Sequence, residues 1–337
     1  MRTFKFGFLH YCLNGFLWVT LGMLPNDSWA ACGAASCPVE TGWERTQEGF
    51  VKLGYQFEYI DQEQHLIGAR KASFRELRGH HDEKFTLNEI HRFNASVGVT
   101  DRLSLDLQFP FISRSHEHVH RHRGQDLLET WGIDGVGDFS AVTRYAFWKP
   151  TSSRLPTFSA ILGGEFPTGN HHERNSDGLE AELPLQPGSG SYDLITGLSS
   201  HQEFSVPMLK GGRGILPVFS SVIGQLNGPG NDDYRIGDTL QINVGALYPI
   251  TPRLGVITQF NALLKDHDDH GKTSEEIQKT GGEFIYFSPG VEVRLGDDWR
   301  LFGLVQIPIH QRVNVIQTTS DYNVLCGISY RFKAWGK

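Results

Sequence analysis

The sequence predicts an all-β fold, a transmembrane antiparallel β-barrel of about twelve strands with both termini at the periplasmic end. Three observations favour it. Apolar and polar residues alternate over many stretches, short and long connections alternate between those stretches, and beyond the N-terminal region no apolar run approaches the ~18 residues of a spanning helix. Mean hydropathy is only −0.31, so the chain crosses a membrane by strands or not at all.

The alternation is clearest in the last strand, Tyr322–Phe332. Every second residue from Tyr322 onward is apolar, and the residues between them are mostly polar or small. A strand of this length, tilted by about 45°, spans the roughly 25 Å apolar band of an outer membrane, whereas strands of soluble sandwiches are usually shorter. Cys326 lies on the apolar face and is expected to face lipid.

The same period-two pattern predicts twelve strands along the chain. An even number places both ends of the barrel on one side, as in bacterial single-chain barrels. The strands are Phe50–Tyr59, Glu89–Val99, Leu103–Ile112, Val136–Trp148, Pro156–Phe166, Ser191–Phe204, Ile215–Gly224, Thr239–Tyr248, Leu254–Leu264, Glu283–Leu295, Trp299–Ile309 and Tyr322–Phe332.

The connections between these strands alternate in length without exception. Short periplasmic turns and longer extracellular loops are typical of membrane barrels, and a soluble sandwich has no reason to show this asymmetry. The predicted long loops are 60–88, 113–135, 167–190, 225–238, 265–282 and 310–321.

The N-terminus predicts a cleaved secretory signal. Arg2 and Lys5 precede an apolar run, and Ser28 and Ala30 are small residues at the two positions that a signal peptidase reads. A membrane-anchoring helix and an acylated Cys32 are the alternatives. The predicted division is a signal peptide at 1–30, a periplasmic segment or plug at 31–48, the barrel at 49–332 and a tail at 333–337.

Cys32 and Cys37 are predicted to form a small-loop disulfide, because the chain is exported to an oxidising compartment. A redox-active or soft-metal pair is the alternative, although no second pair completes a four-ligand site.

Strand phase assigns the residues that face the lumen. In Leu103–Phe109 the leucines and Phe109 face lipid, which leaves Ser104, Asp106 and Gln108 inside. The inward charges along all strands are equally basic and acidic, which favours a neutral or zwitterionic solute or a plugged barrel; ion pairs that brace a narrow lumen are the alternative. The predicted solute pathway comprises Asp106, Asp138, Arg144, Glu165, Asp193, Glu292, Arg294 and Arg331.

Three motifs resemble a family of bacterial outer-membrane transporters named for the meta-cleavage pathway of phenol degradation. They are Gly135-Val-Gly-Asp138, Phe166-Pro-Thr-Gly-Asn170 and Gln186-Pro-Gly-Ser-Gly-Ser-Tyr-Asp193, within about residues 135–198. Phe166 replaces the more usual Leu. The resemblance implies a solute-conducting barrel, with Asp138 and Asp193 near the extracellular rim, and it does not imply an enzyme. A structural role is the alternative to solute contact, because both aspartates can accept hydrogen bonds from glycine amides of the loops or pair with arginine.

The expected function is therefore passive diffusion of small, neutral or aromatic solutes across the outer membrane. The expected partners are outer-membrane lipid, the solute and the barrel-assembly machinery, since Gly327–Phe332 resembles the C-terminal glycine and aromatic signal for barrel insertion. A net charge of −7 disfavours nucleic acid. An outer-membrane hydrolase is a weaker alternative, because Ser199 and His201 have no evident third catalytic member.

The distribution of histidines suggests a further hypothesis, that the protein binds Zn²⁺ or Cu²⁺ at the cell surface. No other cofactor is expected. Most of the 15 histidines lie in or beside the predicted long loops. Within Ser115–His122 four imidazoles occupy alternate positions, on one face of an exposed loop, and imidazole is a common ligand of both metals. Neighbouring arginines would repel a cation, so a solvated loop is the alternative. The candidate ligands are His116, His118, His120 and His122.

Overall fold

The computed structural model describes residues 45–79, 81–122, 124–152, 155–270 and 275–336. This part of the chain forms an antiparallel sheet that closes on itself, because the last strand pairs with the first, with Val51 opposite Phe332. The strands are β1 (Phe50–Ile67), β2 (Arg70–Lys71), β3 (His81–Gly98), β4 (Leu103–His122), β5 (Gln125–Val136), β6 (Phe139–Trp148), β7 (Thr157–Phe166), β8 (Asp193–Pro207), β9 (Arg213–Leu226), β10 (Thr239–Pro249), β11 (Leu254–Lys265), β12 (Gly282–Leu295), β13 (Trp299–Val313) and β14 (Ile316–Lys333).

Twelve of these strands form the barrel wall, and β2 and β5 lie off the closed path. β5 folds back on the second half of β4, and β6 takes the place beside the first half, where Gln108 is opposite Ser140. Closure satisfies the backbone hydrogen bonds of the wall and removes sheet edges from the lipid. The predicted twelve-stranded barrel is confirmed, whereas the periplasmic position of the termini stays a prediction.

Several strands continue beyond their predicted ends. β1 runs to Ile67, β4 runs to His122 and β14 begins at Ile316, so the predicted loops 60–88, 113–135 and 310–321 are largely β structure, and their assignment as loops was wrong. Backbone pairing needs no apolar face. On β1 the outward residues become acidic at Asp61 and Glu63, so the hydrophobic alternation stops while the hydrogen-bonded ladder continues.

The outer wall is apolar over the middle of the barrel. On β1, Val51, Leu53, Tyr55, Phe57 and Tyr59 share the outward face before the acidic residues begin. Cys326 is exposed on the outer face of β14. Outward large side chains around the barrel are also exposed, including Phe93, Phe109, Leu162, Leu198, Phe260 and Val291. This band matches the lipid-facing surface of an outer-membrane barrel.

The two ends of the barrel differ. The end with the short connections and both barrel termini is named the turn end, and the other is named the loop end. At the turn end the rings of Trp299 and Tyr330 pack with centroids 4.6 Å apart, and Trp148 and Phe158 are exposed. Such aromatic residues form the interfacial girdle of membrane barrels.

The chain enters the barrel at the turn end along residues 45–49. Arg45 donates a hydrogen bond to the carbonyl of Thr100 over 3.1 Å, and the buried Thr46 hydroxyl lies 2.6 Å from that of Ser96. A Cβ atom at position 98 would lie 1.8 Å from the carbonyl oxygen of Gln47, so only glycine allows this approach.

Helical structure is minor. The described residues contain the short helix α1 (Glu275–Gln278), and no helix among them is long and apolar enough to cross a membrane. The predicted signal peptide, most of the 31–48 segment and the Cys32–Cys37 disulfide lie outside the described residues.

Candidate functional site

The inner wall of the barrel is the candidate site. Alternation along the strands turns every second side chain inward, and the structure places the eight predicted pathway residues at three separate levels. Asp106 and Arg144 lie near the middle, Asp138, Glu165 and Asp193 lie at the loop end, and Glu292, Arg294 and Arg331 lie at the turn end.

A cavity of about 280 Å³ occupies the middle of the lumen. One wall is polar and comes from β1, β3, β4 and β6. The other is mainly apolar and comes from β7, β8, β9 and β13, with Gln241 and Asn243 of β10 among its residues. The polar wall carries Lys52, Gln56, Asn94, Asp106 and Arg144, and the apolar wall carries Ile161, Ile195, Ile223 and Phe302.

Several charges of the inner wall form ion pairs. Arg92 binds the buried Glu58, and Arg294 Nε lies 2.9 Å from Glu292 Oε1. Arg144 Nε lies 3.9 Å from Asp106 Oδ2. Pairing offsets the cost of removing these charges from water, so these residues brace the wall as well as line it.

Arg331 is placed differently from the other predicted pathway residues. Its guanidinium lies at the turn end, where Nη2 donates to the carbonyl of Asp297 over 3.3 Å and Cζ lies 5.3 Å from the centre of the Phe50 ring. These contacts join the end of β14 to a turn and to the start of β1. They stabilise the junction between β14 and β1, where the barrel closes.

An apolar cluster fills the lumen beside β9–β14, and sequence analysis missed it. Its five residues are buried, although strand phase had assigned Leu325 to a mostly polar or small face. Runs such as Leu301–Val305 are apolar on both faces, which is the sequence signal for a doubly buried strand. The cluster consists of Phe219, Leu247, Ile257, Leu304 and Leu325, with Phe302 packed against it.

Buried amides and hydroxyls form a second inner layer. Asn261 Nδ2 donates to Asn243 Oδ1 over 2.7 Å, and Ser288 donates to Asn261 Oδ1 over 2.7 Å. Gln259 also belongs to this layer, since it accepts from Asn261. These inward polar residues therefore form a hydrogen-bonded network that fills part of the lumen, and Asn243 also lines the mid-lumen cavity.

The segment 167–192 folds into the loop end of the barrel. Leu185 is fully buried and packs with Trp131 and Ile133 of β5. Arg114 of β4 binds the segment, because its Nη1 donates a hydrogen bond to the carbonyl of Leu185 over 2.6 Å. The loop therefore narrows the mouth.

Asp138 fastens this segment at both of its ends. Its carboxylate accepts from the amide of Gly169 over 2.8 Å and from the amide and hydroxyl of Ser189 over 2.6 and 2.7 Å. A Cβ atom on Gly169 would lie 2.7 Å from Cα of Gly188, so the two motif glycines allow the chain ends to meet.

Asp193 performs the same task on the neighbouring loop. It accepts from the hydroxyl of Ser191 over 2.7 Å and from the amide of Gly228 over 2.9 Å. Both aspartates of the sequence motifs therefore bind loop backbone near the loop end, and the motif residues shape the mouth of the barrel.

The histidine row lies in a β-hairpin and not on an exposed loop tip, so the predicted exposure was wrong. His116 and His118 are buried on the inner face of β4, where the ring of Trp131 packs against them. His116 Nε2 lies 3.1 Å from His118 Nδ1, and Glu129 lies 3.1 Å from His118 and 3.2 Å from His120. Among the described residues, no group of three or more His, Cys, Asp or Glu side chains could hold a metal ion.

The Ser199 and His201 pair of the hydrolase alternative has other partners. Ser199 accepts a hydrogen bond from Arg144 over 3.3 Å, and His201 Nε2 lies 3.5 Å from Glu203. These contacts do not form the linked nucleophile, base and orienting group that a triad needs.

Comparison with solved structures supports the barrel fold. A COG4313 outer membrane channel from Pseudomonas putida F1 matches with a TM-score of 0.57 and 13% identity, over 87% of this chain and 98% of that one. The transport unit of the autotransporter AIDA-I from Escherichia coli matches at 0.48 and 11%, over 88% and 93%, and a NanC porin at 0.43 and 9%, over 82% and 98%. The chain folds as an outer-membrane β-barrel. No protein-family model and no curated protein matches it.

Proposed function

We propose that this barrel is a passive outer-membrane channel for small, neutral or aromatic solutes. The observation that carries the proposal is the 280 Å³ mid-lumen cavity, which has one polar and one apolar wall. Concave sites that are largely apolar, with a few placed polar groups, are typical of small-molecule binding. The motif resemblance to transporters named for phenol degradation supports aromatic solutes.

The size of the cavity predicts that only small solutes pass through the channel. It is about twice the roughly 150 Å³ of an apolar cavity that accepts benzene, so a single ring with one or two substituents fits. The inward 167–192 segment narrows the mouth above it. The proposal therefore concerns single-ring solutes and comparably small polar molecules, and it excludes oligosaccharides.

Two measurements on the purified, folded chain test the proposal. In liposome swelling, glycerol and arabinose should enter, whereas a trisaccharide should not. In planar bilayers, benzamide should interrupt the single-channel current, whereas an equal concentration of sucrose should not. A folded protein that admits no solute and carries no current contradicts the channel function.

Metal binding by the histidine row is the second candidate. His116, His118, His120 and Glu129 are hydrogen-bonded neighbours, which favours it. Their present arrangement is not a metal site, so binding requires the rings to leave these contacts. Zinc or copper binding by calorimetry at pH 7.5 should disappear when His116, His118, His120 and His122 are replaced by alanine. It should also weaken below about pH 6, since only the neutral ring is a ligand. Equal binding by both proteins, or by neither, rejects this candidate.

A further inference from the structure

A second cavity lies at the turn end of the barrel and has a volume of about 230 Å³. It is named the turn-end cavity. The turns that follow β8 and β10 contribute to its walls, together with residues of β9, β11 and β12. Among the described residues, none lines both this cavity and the mid-lumen cavity. The two cavities are therefore separate sites within one lumen.

Hydrogen bonds hold the two turns of the turn-end cavity in place. The amide of Gly211 donates to the carbonyl of Met208 over 3.1 Å, and the amide of Thr251 donates to that of Leu254 over 3.0 Å. The hydroxyl of Tyr248 donates to the carbonyl of Pro207 over 2.7 Å and joins the end of β10 to the end of β8. A preformed cavity binds a ligand without the cost of ordering its own walls.

The inner part of the turn-end cavity is apolar. Leu247 lines it and belongs to the buried apolar cluster of the lumen. A Cβ atom on Gly255 would lie 2.6 Å from Leu247 Cδ1, so the glycine leaves room for this side chain. Ile215 shares the inward phase of Phe219 on β9, yet 48% of it is exposed. This cavity therefore offers apolar surface that no side chain of the barrel covers.

The Glu292–Arg294 pair presents both signs of charge to the same cavity. The Glu292 side chain is only 4% exposed, and its Oε1 accepts from Arg294 Nε over 2.9 Å. Among the described residues, Glu292 Oε2 and the two Nη groups of Arg294 have no further partner. A buried carboxylate oxygen of this kind favours a cationic donor, and the free edge of a guanidinium suits a carboxylate.

Arg213 is the third charged residue that lines the turn-end cavity. Its Nε donates to the hydroxyl of Ser205 over 2.9 Å, and its Nη2 donates to the carbonyl of the same residue over 2.5 Å. These contacts fix a second guanidinium on the exposed side of the cavity, whereas the only carboxylate, Glu292, is buried. A ligand with two charged groups is therefore expected to bind with its cationic group inward.

We infer that the turn-end cavity binds zwitterionic amino acids that have an apolar or aromatic side chain. The ammonium group binds Glu292, the carboxylate binds Arg294, and the side chain packs on Ile215 and Leu247. The volume is about one and a half times the roughly 150 Å³ of an apolar cavity that accepts benzene, so a phenyl ring with a short zwitterionic arm fits. The inference goes beyond the proposed channel function, because it assigns a second binding site and its solute class.

Three compounds that share a phenyl ring test the inference on the purified, folded barrel. Phenylalanine carries both charges, 3-phenylpropionate lacks the ammonium group, and phenethylamine lacks the carboxylate. One unit charge about 4 Å away in water changes binding by about fivefold, so the Kd of phenylalanine should be at least about fivefold lower than that of either analogue. Ligand-observed NMR titrations measure the three Kd values.

Two variants assign the binding to the turn-end cavity. Glu292→Gln keeps an acceptor for Arg294 and removes the negative charge, so phenylalanine should lose its advantage over 3-phenylpropionate. Ile215→Trp fills the cavity and should abolish phenylalanine binding. Lys210→Gln is the matched control, because Lys210 is exposed on the same turn and does not line the cavity. Its Kd values should equal those of wild type. Each variant is first checked for the gel shift of a folded barrel.

The outcomes separate this site from the channel function. Equal affinity of the wild-type barrel for the three compounds overturns the inference. A folded Ile215→Trp barrel that binds phenylalanine as wild type does also overturns it, even where Glu292→Gln fails to fold. A folded wild-type barrel without current or solute entry contradicts the channel function and leaves the binding site standing, since the titrations need no transport.

Discussion

Buried carboxylates in this barrel serve different purposes according to what surrounds them. Asp138 and Asp193 accept hydrogen bonds from loop amides and hold backbone in place. Asp106 positions Arg144 beside the cavity. Glu83 of β3 lies beyond the apolar band, where it accepts a hydrogen bond from Thr318 and is repelled by Glu182.

The phase of β4 gives the first residue-scale prediction. Leu105→Arg places a charge on the lipid face near mid-bilayer and should destabilise the folded barrel by about 2–4 kcal/mol. Gln108→Arg places the same charge on the inner face, beside the cavity, and should be tolerated. Guanidinium unfolding in lipid vesicles compares the two. Similar losses from both variants would show that the assigned strand phase is wrong.

The pH dependence of stability gives a second prediction. Burial, with repulsion from Glu182, raises the pKa of Glu83 to about 7 from its usual 4.5. A raised pKa means that the folded state holds the proton more tightly, so this contribution is complete below about pH 4.5 and is lost as the pH rises through 7. Glu83→Gln should match wild type at pH 5 and exceed it at pH 8, by at most about 3 kcal/mol.

Guanidinium titrations at the two pH values measure this difference. Thr318→Val serves as the control, because it removes the donor to Glu83 and leaves the carboxylate. That control should still lose stability between pH 5 and pH 8. If the free energy of unfolding of Glu83→Gln depended on pH as that of wild type does, another group would be responsible for the effect.

At the scale of elements, the wall strands could be predicted from the sequence, because lipid on one side and polar side chains on the other impose a period of two. The extension of β4 and the presence of β5 could not be. Above the apolar band both faces of Ser113–His122 are polar, so the hydrophobic pattern no longer distinguishes a strand from a loop. The inner cluster around Leu325 was hidden for the opposite reason, since both faces there are apolar.

The site was predictable only in part. Strand phase shows whether a side chain faces the lumen, but not at which level along the barrel axis it lies. It assigned Asp106 and Arg144 to the lumen together with Asp193 and Glu292, but their different levels depend on barrel register. The roles of Asp138 and Asp193 in binding loop amides depend on how the 167–192 segment folds inward. The motif glycines signalled a close backbone approach and made glycine amides possible donors to these aspartates, but not which amides would donate.

The anchoring of this segment gives an element-scale prediction. Asp138→Asn replaces one acceptor oxygen by a donor, which then faces the amide of either Gly169 or Ser189, and this should cost about 1–3 kcal/mol and loosen the segment. Mean conductance should rise, and trypsin should cut faster after the exposed Arg174. Asp177→Asn, on the exposed part of the same segment, should change neither. Unchanged cleavage and conductance in Asp138→Asn would mean that other contacts hold the segment.

At the scale of the molecule, two segments reach the lumen from opposite ends of the barrel. The 167–192 segment covers the loop end, and residues 45–49 enter at the turn end, where Thr46 contacts Ser96. Ser96 in turn donates to Asp106, so the entering chain is linked by hydrogen bonds to a residue that lines the mid-lumen cavity. If both segments restrict the path to the cavity, passage should be slow and selective.

The segment of residues 45–49 at the turn end gives the last prediction. Gly98→Val places a Cβ atom where the carbonyl oxygen of Gln47 now lies, 1.8 Å away, so the entering segment must leave its position while the β3 wall remains paired. Conductance should rise and should match that of a chain lacking residues 31–48. Gly303→Val is the matched control, because the nearest atom to a Cβ there is 3.9 Å away, and its conductance should stay at the wild-type value. If Gly98→Val and the shortened chain both folded and conducted like wild type, the N-terminal segment would lie outside the solute path, and the inward 167–192 segment would be left as the element that restricts it.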